Sequence, residues 1–221
     1  MGAALLASGL DWVTVASLAT AAGTLVLALA TFSSVRSANR TARAAERSLQ
    51  AGTQPVLMPS RPTDPSEKIM FVDEHWVKLA GGRASAEATD DAIYLTMALH
   101  NVGPGLGIIQ AWDIRPEQVI GDQSHHDPEQ FRRQTRDLYV PAGDFGFWQG
   151  ALRDESEPVY APTRALIERG DPITIDLLYC DSAGGQRTIT RFRLVRGEAA
   201  ADNEWFPSVN KHWHLDGPSP R

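Results

Sequence analysis

The sequence predicts a mainly β protein, an antiparallel β-sandwich with one or two short helices, preceded by a single transmembrane helix that continues into a helical neck. Three observations support this fold class. Residues 13–32 carry no charge. After residue 55, short segments alternate apolar and polar residues, as half-buried strands do. Strands and helices do not alternate regularly along the chain, which disfavours a doubly wound parallel sheet.

The charged residues divide the chain into a basic leading part and an acidic body. The net charge is −6, and the first 54 residues hold four arginines against Asp11 and Glu46, a net of +2. The remaining 17 basic and 25 acidic residues leave a net of −8. An acidic body disfavours wholesale binding of nucleic acid. Cys180 is the single cysteine, so the chain cannot form an internal disulfide.

The uncharged segment 13–32 is the clearest signal in the sequence. As a helix its 20 residues would span roughly 30 Å, the thickness of the hydrocarbon core of a bilayer. We therefore expect a transmembrane helix over residues 13–34, after a short external N-terminus of residues 1–12. A cleaved signal peptide would carry basic residues before the apolar run, and this sequence has none there. A buried helix of a soluble protein is the other alternative, but 20 uncharged residues are long for one.

The flanking charges predict the orientation of this helix. Asp11 is the charged residue before the span, whereas four arginines follow it: Arg36, Arg40, Arg43 and Arg47. Positive residues close to a span tend to stay in the cytoplasm. The sequence therefore predicts a single-pass protein of the plasma (inner) membrane, with its N-terminus outside and a cytoplasmic domain over residues 55–221.

The composition of residues 35–52 predicts a helical neck, because this segment is rich in alanine and contains no proline. Apolar positions recur there at spacings of 3 and 4, which would suit self-association through the neck. Two alternatives stay open: alanine is a common helix filler, and the arginines on the opposite side would lie near anionic headgroups. The spaced positions are Val35, Ala38, Ala42, Ala45 and Leu49.

Residues 55–221 are expected to form a soluble, immunoglobulin-like sandwich. In "IYLTMALHN" Tyr94 and Thr96 fall on one face and Ile93 and Leu95 on the other, as in a half-buried strand. Turn-forming residues in "DSAGG" predict a hairpin between the two strands that flank it. The predicted strands cover 68–79, 93–101, 107–115, 172–180, 186–195 and 208–216, and 81–92 is predicted to be a polar loop.

Two short helices are expected between these strands. Residues 127–138 begin with Asp127, a good N-cap, and Pro128, which suits the first helical position. Residues 161–170 offer a second helix, with Thr163 as its cap and Gly170 at its end.

The glycine-rich stretch "HNVGPGLGII", residues 100–109, is predicted to be a turn and not a phosphate-binding loop. A dinucleotide loop needs G-x-G-x-x-G before a helix, and a P-loop needs a lysine, whereas β-rich residues follow here. No cofactor is therefore expected. The structural turn is assigned to Asn101, Gly103, Pro104 and Gly105, and Gly103 or Gly105 is expected to adopt a positive φ.

The strand end "L-x-N-V-G-x-G", the segment "QPVL" after an arginine-rich neck, and the later "LLYCDSAGGQ" together resemble a group of bacterial single-pass membrane proteins. Those proteins combine an N-terminal anchor, an arginine-rich neck and a β-sandwich domain that carries an N-x-G-x-G turn. Their function is uncharacterised. The resemblance implies a fold and an anchor, and it assigns no catalytic residues.

Two groups of side chains are candidates for a functional site. His212 and His214 lie on one face of a predicted strand and are weak candidates for a metal pair, although such histidines are usually solvated. Phe145, Phe147 and Trp148 form either a patch for an unknown protein partner or ordinary core packing. No catalytic residue is assigned. The expected function is a membrane-anchored interaction or sensory module without catalysis, and the alternative is a metal-dependent or hydrolytic enzyme that uses the histidine-rich loops.

The topology can be tested by fusing two reporters after Arg221, one active only in the cytoplasm and one active only after export. We expect activity of the cytoplasmic reporter, because the four arginines lie within about 15 residues of the span, where charge bias acts most strongly. Changing those arginines to glutamine, with lysines added before Asp11, should invert or mix the orientation. Activity of the exported reporter in the native sequence would contradict the prediction.

Overall fold

The computed structural model describes residues 12–117, 121, 123–197 and 204–217. Residues 1–11, which make up nearly all of the predicted external N-terminus, lie outside the described residues. The chain divides into two compact units, Met1–Leu49 and Gln50–Arg221, and each is described by itself.

Helix α1 runs without interruption over Trp12–Ala51, 40 residues. It is long and apolar enough to cross a bilayer. Several of its hydroxyl groups are satisfied within the helix: Thr20 and Thr31, for example, each donate to the carbonyl oxygen four residues earlier at 2.8 Å. Such internal bonds matter in an apolar solvent, because an unpaired polar group there is costly.

The second unit is built on one nine-stranded antiparallel sheet. Its strands run in the order β1-β5-β4-β11-β10-β9-β6-β7, and β8 pairs with β5. Strands β2 and β3 form a separate hairpin. The strands are β1 Leu57–Pro59, β2 Glu67–Met70, β3 Trp76–Leu79, β4 Ala84–Ala88, β5 Ile93–Asn101, β6 Gly107–Ile114, β7 Arg132–Val140, β8 Phe145–Leu152, β9 Ile173–Cys180, β10 Thr188–Arg196 and β11 Glu204–His214.

The sheet curls around one large apolar core. Trp112 of β6 meets Trp148 of β8 edge to face, with ring centroids 5.3 Å apart, although β6 and β8 belong to opposite ends of the strand order. Trp205 from β11 and Phe192 from β10 are fully buried in the same cluster. A fully buried side chain of this size stabilises the fold by about 2–3 kcal/mol relative to an exposed one. The curl therefore follows from aromatic side chains that must share one interior.

A second, smaller apolar cluster lies on the other face of β5 and β8. There the β2–β3 hairpin packs Ile69, Phe71, Val77 and Leu79 against residues of the main sheet that include Tyr94. Both faces of β5 are thus covered, and all nine of its residues are buried. The half-buried strand that the alternation of residues 93–101 predicts is therefore wrong in its exposure, because the β2–β3 hairpin covers the second face of β5.

Most predicted strands are confirmed. Residues 93–101 form β5, 107–115 contain β6, and β9 and β10 pair as the predicted hairpin. The single strand predicted over 68–79 is wrong, because the chain reverses at Glu74, whose φ is 62°, and makes the β2–β3 hairpin. The loop predicted over 81–92 is also wrong, since it contains β4. Its small residues Ala84 and Ala86 fit into the core beside β5.

The helix predicted over 127–138 is wrong except for its first turn. Asp127 accepts a hydrogen bond from Glu129 N at 3.1 Å, but only a short 3-10 helix over Pro128–Gln130 follows. The chain then enters β7, where Leu138 and Val140 point into the core and the backbone pairs with β6. Pairing with β6 therefore decides the conformation of residues 132–140. The helix-starting residues Asp127 and Pro128 produce only one 3-10 turn.

The second predicted helix is confirmed as α2, Tyr160–Arg169. Gly170 ends it in the left-handed conformation with φ 73°, as expected. The capping role predicted for Thr163 is wrong: its side chain is buried inside the helix and donates to Val159 O at 2.6 Å.

The turn after β5 is organised by the buried side chain of Asn101. Its Oδ1 accepts hydrogen bonds from Val56 N at 3.1 Å and Gly103 N at 3.0 Å. Its Nδ2 donates to Gly105 O at 2.6 Å and Val140 O at 3.0 Å. An asparagine side chain can make four such bonds, and all four are made to the backbone.

The positive φ expected at Gly103 or Gly105 is wrong, because neither glycine is among the residues with positive φ. Both glycines are needed for a different reason. A Cβ at Gly103 would overlap the backbone at Gln54 and Val56, and one at Gly105 would overlap the backbone of Thr53. Close approach of residues 53–57, called here the leading segment, therefore excludes any side chain at these two positions.

We expect Gly103→Val and Gly105→Val each to lower the free energy of unfolding by about 1–3 kcal/mol, because the added carbons overpack the contact with the leading segment. Chemical denaturation of the full chain in detergent would measure this. Gly185→Val is the matched control, since its Cβ would meet only one atom, Asp181 Oδ1, at an ordinary 3.8 Å. Equal stability of all three variants would contradict the close-approach argument.

Candidate functional site

Strands β7 and β8 follow each other in sequence but are not paired with each other. Among the described residues, β7 pairs with β6 and β8 pairs with β5. Opposite the single residue Gln110, four residues of β7, 134–137, bulge out of the ladder between Leu138 and Arg133. Such bulges redirect side chains and often lie beside functional sites. The bulge lines a cavity of about 70 Å³ at the seam between β7 and β8.

Arginines dominate the wall of this cavity, which we call the arginine cleft: Arg132, Arg133, Arg136 and Arg153 line it together with Gln134, Thr135, Gln149, Trp112 and Val72. The domain sequence as a whole is acidic, since its 17 basic and 25 acidic residues give residues 55–221 a net charge of −8. The positive charge of four neighbouring guanidinium groups therefore contrasts strongly with the acidic composition of the rest of the domain.

Two of these arginines are already held by carboxylates. Arg132 makes a two-pronged ion pair with Glu157, with one nitrogen–oxygen distance of 3.1 Å, and lies 5.2 Å from the centre of the Trp112 ring. Arg153 donates to Asp73 Oδ2 at 3.0 Å. Paired in this way, both side chains are fixed parts of the wall.

The other two arginines are free to bind. The side chains of Arg133 and Arg136 are exposed, and neither makes a hydrogen bond or ion pair with any residue that the structure describes. Arg133 lies at the edge of the β7 bulge and Arg136 within it, and both line the cleft. Guanidinium groups that are positioned but unpaired are the side chains that bind carboxylates and phosphates in two-pronged fashion.

A polar side chain at the bottom of the cleft also lacks a partner. Gln134 Nε2 donates to the backbone oxygen of Gln149 at 2.9 Å, a hydrogen bond that bridges β7 and β8. The side-chain Oε1 of Gln149 itself is buried and has no hydrogen-bond partner. Buried polar atoms are nearly always paired, so a ligand or a water molecule is expected to complete this one.

The aromatic residues singled out in the sequence lie beside this cleft but do not form one surface. Trp148 is fully buried in the main core, so it cannot belong to an exposed patch. Phe145 and Phe147 are half-buried and line a shallow groove of about 400 Å³, together with Arg136, that continues along the seam. The structure thus assigns Trp148 to packing and leaves two phenylalanines at the site.

His212 and His214 lie at a second place, where the leading segment meets β9 to β11. His212 Nδ1 is 2.7 Å from Thr190 Oγ1, which is 2.9 Å from Tyr179 Oη, and Tyr179 Oη accepts from Leu57 N at 3.3 Å. His214 Nε2 is 3.0 Å from Gln54 Nε2. Among the described residues, no group of three or more His, Cys, Asp or Glu side chains could hold a metal.

Burial, and secondarily the neighbouring charge of His214, lowers the pKa of His212. The neutral ring fits the hydrogen-bond chain, because Nδ1 can then accept from Thr190 while Tyr179 donates to Thr190 and accepts from Leu57. A protonated ring would donate from both nitrogens and reverse this order. The histidines therefore help to hold the leading segment.

A buried ion pair stabilises the outer face of the sheet. Arg191 donates from Nε to Asp176 Oδ1 at 2.7 Å and from Nη2 to Asp176 Oδ2 at 2.6 Å, with both side chains almost fully buried. The guanidinium carbon also lies 4.8 Å from the centre of the Trp213 ring. Asp113 stands opposite Asp176, and burial first, then the charge of Asp176, raises its pKa despite the contact with His126. These groups are packed against each other and serve the fold.

No short sequence motif identifies the arginine cleft. Its signal is "RRQTR", residues 132–136, and the helix predicted over 127–138 places these arginines on the wrong element. Comparison of the chain with models of protein families, with curated proteins and with solved structures finds no match.

We expect the stability of the protein to fall as the pH drops from about 7.5 to 5.5. Because the pKa of His212 is lowered in the folded state, the unfolded state takes up more protons below its ordinary pKa of about 6.5. Stability is therefore lost as the pH falls from that value toward the lower pKa of the folded state. Melting temperatures of native protein and His212→Asn would measure this, and the variant should lose less stability over the same range. Parallel pH profiles for the two proteins would show that His212 does not carry the effect.

Proposed function

We propose that this chain is a single-pass membrane protein whose β domain is a non-catalytic binding module for anionic groups of a partner protein. The observation that carries the proposal is the arginine cleft, where Arg133 and Arg136 are exposed without a partner in the described residues. Carboxylate or phosphate groups are the ligands that best complement such a site.

The anchor and orientation belong to the same proposal. Helix α1 is long and apolar enough to cross a plasma (inner) membrane, and the arginine-rich stretch after the apolar run supports a cytoplasmic location for the domain. The helical residues 35–51 would then form a neck between membrane and domain. Small residues at spacings of 3 and 4 along α1 support self-association of this helix in the membrane.

We also propose that the curled sheet is an immunoglobulin-like sandwich. Strands β8, β5 and β4 would form one layer and β10, β9 and β6 the other. The contact between Trp112 and Trp148 supports this, because it joins the two proposed layers through a shared core.

The alternative, an enzyme that uses His212 and His214, is less well supported. Both rings already have polar neighbours in Thr190 and Gln54, and these contacts hold the leading segment. Their geometry favours a structural role for the two histidines over a metal-binding one.

The cleft can be tested with the full chain in nanodiscs of uncharged lipid and a fluorescent hexaglutamate peptide as the probe. We expect Arg133→Gln/Arg136→Gln to weaken binding, measured by fluorescence anisotropy, by at least about tenfold, since each charged hydrogen bond contributes roughly 1.5–3 kcal/mol.

Arg61→Gln/Arg193→Gln is the matched control, because it removes the same charge at two arginines outside the arginine cleft. It should bind like the native protein. Equal weakening by the two double variants would mean that the peptide senses only net charge, and no binding by the native protein would overturn the proposed ligand class.

A further inference from the structure

The outer face of the β2–β3 hairpin is amphipathic along its length. The register places Met70 opposite Trp76, and Lys68 opposite Lys78. Because side chains alternate between faces of a strand, these four residues share the face that points away from the sheet, while Ile69 and Val77 are buried on the inner face. The hairpin thus carries an apolar pair near its turn and a lysine pair roughly 7 Å behind it.

Three apolar side chains at the end of this hairpin are exposed to solvent. Met70 is 49% exposed, Trp76 55% and Val72, in the turn, 80%. Of the five tryptophans in the domain, the other four are buried at 8% exposure or less. Core packing therefore accounts for every domain tryptophan except Trp76, and the group formed by Met70, Val72 and Trp76 is called here the apolar tip.

The apolar tip is mounted on a rigid base. Phe71 and Leu79 on the inner face pack against the sheet, and the ring of His75 stacks on Tyr94 at 4.0 Å. In the turn, Asp73 accepts hydrogen bonds from Tyr94 Oη at 2.6 Å and Arg153 Nε at 3.0 Å. The Asp73 carboxylate therefore points toward the protein, and Arg153 neutralises its charge.

We infer that the apolar tip inserts shallowly into the headgroup region of a bilayer that contains anionic lipids. Tryptophan is the side chain most typical of the membrane interface, and exposed Met and Val beside it would reach the upper acyl chains. Lys68 and Lys78, one step behind, complement lipid phosphates, and Lys68 Nζ lies 5.7 Å from the centre of the Trp76 ring. The inference rests on the membrane anchorage proposed above, which holds the domain at high effective concentration near the surface.

One charge at the tip opposes insertion and sharpens the test. Glu74 is exposed in the turn, with φ 62°, and has no ion-pair partner among the described residues. Its carboxylate would be repelled by anionic headgroups. Glu74→Gln should therefore deepen insertion, whereas Lys68→Gln/Lys78→Gln should reduce it.

The test uses the full chain in vesicles of phosphatidylcholine with or without phosphatidylglycerol, with some lipids brominated in the upper acyl chain. A fluorophore on Val72→Cys reports the tip, and one on Val195→Cys is the control, because Val195 is 41% exposed and belongs to β10 and not to the hairpin. The native Cys180 is buried and should not react. We expect bromolipid quenching and a blue shift at position 72 in anionic vesicles, and neither at position 195.

Further substitutions in the labelled Val72→Cys chain distinguish insertion of the apolar tip from a general effect of net charge or of membrane tethering. Lys68→Gln/Lys78→Gln, or Met70→Gln/Trp76→Gln, should abolish the quenching, and Arg61→Gln/Arg193→Gln, which removes the same charge elsewhere, should leave it intact. Absence of quenching at position 72 in a chain that floats with the vesicles would overturn the inference alone. Failure of the chain to float with vesicles after an alkaline wash would overturn the anchorage, and this inference with it.

Discussion

The four hydrogen bonds of the Asn101 side chain are the constraint on which the arrangement of the domain depends. They join the leading segment at Val56, the turn at Gly103 and Gly105, and the end of β7 at Val140. A buried amide that lost any of these partners would carry a desolvation cost of about 1–3 kcal/mol. Since β7 ends at Val140 and β8 begins five residues later at Phe145, the same side chain is fixed at the point where the two strands start to diverge. The arginine cleft opens along that divergence.

The arginines of the domain fall into two groups that differ in burial and in pairing. Removing one partner from a buried pair such as Arg191–Asp176 typically costs about 3–5 kcal/mol, whereas exposed pairs contribute about 0–1 kcal/mol. Arg191 is therefore committed to the fold. Arg133 lies at the edge of the β7 bulge and Arg136 within it, and the side chains of both are outside any such network in the described residues, so a ligand could engage them without disrupting the sheet.

Local patterns sufficed where the deciding contacts are local in sequence. The β9–β10 hairpin and Gly170 at the end of α2 were predicted because alternation, turn residues and a left-handed glycine act over a few positions. Residues 132–140 were misassigned because pairing with β6 decides their conformation. The role of Gly105 depends on Thr53, far away in sequence, and the burial of Trp148 depends on the curl of the whole sheet. The arginine cleft likewise arises from the divergence of two strands, which no short motif encodes.

The attachment of the leading segment has a consequence for biosynthesis. Gln54 meets His214, 160 residues later, and Leu57 meets Tyr179, 122 residues later. At a translation speed of about 5–20 residues per second, the ribosome needs roughly 8–32 s to make the strand that completes this contact. During that interval the part of the domain that is synthesised first still has unpaired strand edges. A nascent chain of this kind is therefore exposed to chaperones and to aggregation until its last strand emerges.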